Sequence, residues 1–168
     1  MLHRAAARAA KRAGVPVVSH GAWEALKVLE ILASEGMDLS RVIISHCSHG
    51  GAIDPVRDRK VASIGAWISY DSFTVTNTSA VTHYAHPDER RAQAVKQMID
   101  AGFMHRMLLS SDNNLFSLGW MRSSPYVGKA TQADFLRTTP GKLRRIGIYE
   151  ETFWKILTDN PKQVMTIQ

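Results

Sequence analysis

Four short strand-type runs, each closing on a histidine or an aspartate, set the strongest limit on what this chain can become. They are VPVVSH (15–20), RVIISH (41–46), AWISYD (66–71) and HRMLLSSD (105–112). Between them lie longer segments with helical periodicity, and that alternation is the pattern of parallel βα units rather than of a helical bundle. The first helix, from the basic, alanine-rich N-terminus, stops at Gly14, and Pro16 is tolerable at the start of a strand. WEALKVLEILASEG (23–36) places Leu26, Leu29 and Leu32 along one helical face and ends at Gly36. Pro55 lies near the start of a helix running to about Val61, where its missing N–H is of little consequence. Pro87 opens PDERRAQAVKQMIDAG with acids in the first turn, as the helix dipole favours. Long polar loops are expected over 72–87 and 113–140, and the last helix, EETFWKILTDN, is expected to stop at Asn160-Pro161.

With 168 residues, 45% of them hydrophobic, the chain can form one domain with a real core. Cys47 is its single cysteine, so no internal disulfide forms, and no apolar run approaches the roughly 20 residues that span a bilayer. The N-terminus lacks the continuous apolar core of a signal peptide, so a soluble, cytoplasmic protein is expected. The net charge of +6 permits nucleic-acid or acidic ligands, but the basic residues are scattered along helices and read as a solvated surface, so nucleic acid is not the expected partner.

The regularity with chemical content is at the strand ends, where His20, His46, Asp71 and Asp112 stand. One βα unit per step would gather all four on the carboxyl rim of a parallel sheet, which is where βα folds build their sites. Imidazole and carboxylate together suit Zn²⁺, Fe²⁺, Mn²⁺ or Co²⁺, and three protein ligands leave a coordination position open for water. The local motif His46-Cys-Ser-His49 lacks the second ligand pair of a zinc knuckle, and Cys47 reads as a small buried residue rather than a nucleophile.

The series VPVVSH, SEGMDLSRVIISH, WISYD, MLLSSD and LTDNPKQVM resembles, in order and over essentially the whole chain, the C-terminal half of the phosphotriesterase family. These are metal-dependent hydrolases, among them the phosphotriesterase-like lactonases, within the amidohydrolase superfamily. The resemblance implies a TIM-type (β/α)₈ barrel, of which residues 1–168 are one partial domain holding strands five to eight, with two metal ions bridged by a hydroxide. It implies that His20 and His46 are the strand-five and strand-six ligands of the second metal. Asp112 then resembles the strand-eight carboxylate that ligates the first metal and takes the proton, and Asp71 the strand-seven acid beside the substrate pocket.

This chain departs from that pattern in several places. It contains no His-x-His pair of the strand-one kind, and it begins in the helix that should follow the strand-four lysine shared by both metals. The acid usually found three residues after the strand-six histidine is here His49, with Asp54 the nearest acid available to substitute. Ser72 stands where related lactonases tend to carry an arginine, and with His49 and Asp71 it is assigned to the substrate pocket.

A complete barrel of this kind needs about 250 residues, so four units are expected to be a piece of a longer hydrolase, completed by an N-terminal half or, as the alternative, by a second copy. Bare sheet edges and an uncovered inner face favour such pairing. The leading expectation is metal-dependent hydrolysis of esters, lactones or phosphotriesters, most plausibly with zinc, the isolated chain holding zinc weakly and turning over little. The alternatives are an inactive metal-binding or assembly module and a TatD-like metal-dependent deoxyribonuclease.

Overall fold

The protein is described here as a computed structural model over residues 1–74, 88–112 and 131–167. Helix α1 (Leu2–Ala13) ends at Gly14, whose φ of 66° is the left-handed cap that glycine adopts without a Cβ clash. The described elements then follow as β1 (Val17–Ser19), α2 (Ala25–Ser34), β2 (Val42–Ile44), α3 (Pro55–Ser63), β3 (Trp67–Tyr70), α4 (Asp88–Asp100), β4 (Met107–Leu109), α5 (Gln132–Arg144) and α6 (Glu150–Met165). The four strands form one parallel sheet in sequence order, with Val17 opposite Val42, Ile43 opposite Trp67 and Ile68 opposite Met107. Each neighbouring pair of strands is therefore joined by a crossover, the arrangement that the alternating pattern predicts.

Side chains alternate across this sheet, and its two faces differ. Val42, Ile44, Ile68, Tyr70, Met107 and Leu109 belong to the main core with Leu29, Leu32, Val61, Val95, Met98, Phe153 and Ile156 of the helices. Ile43, Trp67 and Leu108 form a second, smaller cluster closed by Val164 at the end of α6. The Trp67 indole N–H donates to the Ser40 carbonyl at 2.7 Å, and the Arg106 guanidinium lies 5.1 Å from a Trp67 ring centroid. That end of the inner face is thus covered by the chain itself rather than left bare. Further along, Val18 of edge strand β1 is 57% exposed.

Three local readings are corrected. Leu26 is exposed while Ala25, Val28, Leu29 and Leu32 are buried, because steps of three residues drift around a 3.6-residue helix and carry Leu26 off the apolar stripe. Residues 132–144 are helical, not loop: Thr131 and Asp134 form a capping box, and Phe135, Thr139 and Leu143 bury one face although Pro140 lies within. Helix α6 continues through Pro161 to Met165; buried Asn160 donates to the carbonyls of Met104 and Met107, and Val164 packs beyond it. Anchoring on both sides of the proline outweighs one missing backbone bond. The expected loop segments 75–87 and 113–130, and Pro87 with them, lie outside the described residues. Among the described residues, no helix is long and apolar enough to cross a membrane.

Candidate functional site

The strand-end residues converge on the carboxyl rim of the sheet. His20 immediately follows β1, His46 lies just beyond β2, Asp71 immediately follows β3, and Asp112 follows β4. His46 and Asp112 both adopt left-handed backbone conformations, with φ of 61° and 46°. Such conformations are uncommon outside glycine, though Asp and His are among the residues that tolerate them, and they turn the chain sharply at the strand exit.

His46 is the hub. Its backbone N–H donates to Asp71 Oδ2 at 2.8 Å, and its Nδ1 lies 3.1 Å from Asp71 Oδ1 and 3.9 Å from Asp112 Oδ2. The His20 ring meets the His46 ring edge-on with centroids 4.4 Å apart, and the His49 ring is 5.2 Å from it. Thus His20, His46 and Asp112 are brought into one cluster. Asp71 is buried beside it, bonded to His46. His49 and Ser72, assigned separately to the pocket from the sequence, are partners: His49 Nδ1 is 3.2 Å from Ser72 Oγ. Ser72 is fully buried, and its N–H donates to Ser48 Oγ at 3.2 Å.

The electrostatics follow these contacts. The hydrogen bond that the His46 ring makes to Asp71 raises the pKa of His46 against the opposing effect of burial, and the charges of Asp71 and Asp112 add to the rise. Burial pushes His49 down to about 4, with the neighbouring charge of His46 acting in the same direction. Burial acts to raise Asp71, but the ring and backbone bonds from His46 outweigh it and hold the carboxyl below its usual range. Asp112 is shifted upward, chiefly by burial.

Two nearby acids do other work. Asp54 caps α3, accepting from the N–H groups of Val56 and Arg57 at 3.0 Å, so it does not substitute at the position of His49. Asp58, which the sequence reading passed over, is buried behind the rim, where Tyr70 Oη donates to it at 2.7 Å and Arg57 donates through Nε and Nη2. The adjacent Arg57-Asp58 pair was its one visible signal. Cys47 is buried in the main core, with its thiol toward the Ile44 carbonyl at 3.5 Å.

As a donor set, one ligand atom each from His46, His49 and Asp112 all lie within 4.8 Å of one another. Two imidazoles and a carboxylate fit a borderline divalent cation such as Zn²⁺ or Co²⁺.

A parallel βα sheet of four units in sequence order, with imidazoles and carboxylates gathered on its carboxyl rim, has the architecture of half a TIM-type (β/α)₈ barrel. Comparison with known proteins makes the class specific. The phosphotriesterase family profile matches residues 1–165, and the chain belongs to that family. It is 30% identical over 162 residues to the phosphotriesterase homology protein of Escherichia coli, covering 95% of this chain and 50% of that protein. It is 26% identical to the N-acetyltaurine hydrolase of Bos taurus, covering 98% of this chain and 47% of that protein. Among solved structures, the organophosphorus hydrolase of Deinococcus radiodurans superposes with a TM-score of 0.79 at 26% identity, covering 98% of this chain and 50% of that one. A lactonase from Listeria monocytogenes superposes with a TM-score of 0.78 at 25% identity, covering 99% and 49%. The chain therefore spans about half the length of the relatives it matches.

Proposed function

We propose that this chain supplies the strand-five to strand-eight half of a metal-dependent hydrolase centre, acting on phosphotriesters, lactones or related esters. The observation that carries the reading is the convergence of His20, His46 and Asp112 on one rim, with Asp71 hydrogen-bonded to His46. In this reading His20 and His46 hold a divalent ion, zinc in the first instance, and Asp112 is both ligand and proton acceptor. When bound, the metal would lower the pKa of water and polarise the carbonyl or phosphoryl oxygen of the substrate. The residues do the rest: Asp71 holds the His46 ring in one orientation, and Asp112, the most exposed carboxylate of the cluster, is placed to take and release a proton. The remaining ligands come from a complementary half-barrel, whether on the same polypeptide or another.

The name of the N-acetyltaurine hydrolases brings an amide into the range of bonds to be tested. The test joins this sequence to the N-terminal half of a family member, removes metal by chelation, and adds back zinc, cobalt or manganese in the presence of a phosphotriester, a lactone, a carboxylic ester and an N-acyl amide. Metal-restored hydrolysis of at least one substrate, lost in His46→Ala and Asp112→Ala, is expected. Hydrolysis indifferent to chelation would overturn the metal mechanism, and cleavage of DNA, supplied as a fifth substrate, with none of the other four cleaved would favour a nuclease.

A further inference from the structure

We infer that His46, His49 and Asp112 form a divalent-metal site contained wholly within this chain, with His49 as a ligand in its own right. The inference rests on the proposed metal chemistry of this rim, but it names a different ligand set and needs no contribution from a complementary half.

The three side chains each offer a ligand atom within 4.8 Å of the other two, and His20 is not among them. A cation about 2.0–2.2 Å from each donor in a tetrahedral arrangement would place the donors roughly 3.4 Å apart, so closure asks for shifts on the order of 1 Å. Asp112 is the side chain with room to make them, being 42% exposed where the His46 side chain is 16% exposed.

The two histidines are held in the manner of metal-bound imidazoles, whose tautomer and orientation are fixed by a hydrogen bond at one ring nitrogen. Asp71 does this for His46 at 3.1 Å and Ser72 does it for His49 at 3.2 Å. Their relative placement is also fixed by the backbone, because the His49 N–H donates to the His46 carbonyl at 3.1 Å and closes the turn between them. Ser72 is itself anchored by Ser48, so the support for His49 is built from buried residues rather than from a mobile surface. Three protein ligands of this type leave coordination positions open to water.

Titration of the full chain with zinc, and with cobalt followed by its visible absorption, tests this directly. The unchanged chain is expected to take one ion. His49→Ala and His49→Gln should each weaken binding by at least about 10-fold and alter the cobalt bands, since even residues that only support a ligand contribute 10- to 100-fold. Circular dichroism and thermal melts of the metal-free variants show whether they are folded, and the glutamine variant retains a polar group beside Ser72. Unaltered binding by both folded His49 variants, with binding lost in His46→Ala, would overturn the role of His49 while leaving the proposed function standing. Failure of the unchanged chain to bind either metal would overturn the self-contained site, and the joined barrel's response to metal still decides the proposed function separately.

Discussion

His46 illustrates how much chemistry one strand-end residue can concentrate. Its left-handed backbone, its bonds to Asp71 through both N–H and ring, and its closeness to His20, His49 and Asp112 all follow from where β2 ends. The four strand-end residues were legible in the sequence because a parallel sheet delivers them to one rim. The pairings Asp71 with His46 and Ser72 with His49 were not, because they depend on a φ sign and a turn within the loops, which residue spacing does not encode. If Asp71 orients His46, Asp71→Ala should reduce metal affinity by about 10- to 100-fold with little loss of fold, measured by zinc titration alongside circular dichroism. Behind the rim, Tyr70→Phe strips one donor from buried Asp58 and should reduce stability by about 1–3 kcal/mol in urea unfolding.

At the scale of elements, Asp88 ties three segments together. From the first turn of α4 it accepts from Arg91 at 2.8 Å, from Lys142 of α5 at 2.6 Å and from the Thr74 N–H at 3.1 Å. Burial acts to raise its pKa, but the bonds from Lys142 and Arg91 outweigh it and hold the carboxyl below the usual range. Because the unfolded state binds this proton more readily, the contribution to stability is present above the ordinary carboxylate pKa and is lost as pH falls through the lower folded value. Asp88→Asn should therefore destabilise the chain by about 2–4 kcal/mol at neutral pH, and the gap to the unchanged protein should narrow in acid, as urea unfolding at a series of pH values would show. The acids opening α4 were readable from the dipole rule, but their reach to Lys142 was not, since α5 itself was read as loop. Its Thr-Thr-Pro-Gly stretch looks like a break, yet the helix holds through its capping box and the burial of Phe135 and Leu143. Thr131→Ala should cost about 1 kcal/mol, readable as a lower thermal midpoint.

For the whole molecule, the order of the sheet and its parallel sense were legible because helical and strand periods alternate so regularly. The expected uncovered inner face is found only in part: Val164 and Trp67 cover one end of it, while Val18 on edge strand β1 stays largely exposed. Under the proposed function, a complementary half-barrel would meet the sheet at its β1 and β4 edges, the β1 edge carrying this exposed apolar side chain. The most direct measurement compares zinc- or cobalt-supplemented hydrolysis by this chain alone and by the same preparation mixed with an N-terminal half-barrel, with His46→Ala and Asp112→Ala as controls. The expected result is metal binding but little turnover by the chain alone, and turnover in the mixture that both substitutions abolish. Robust turnover by the chain alone, abolished by those same substitutions, would contradict the account that its site is one half of a larger centre.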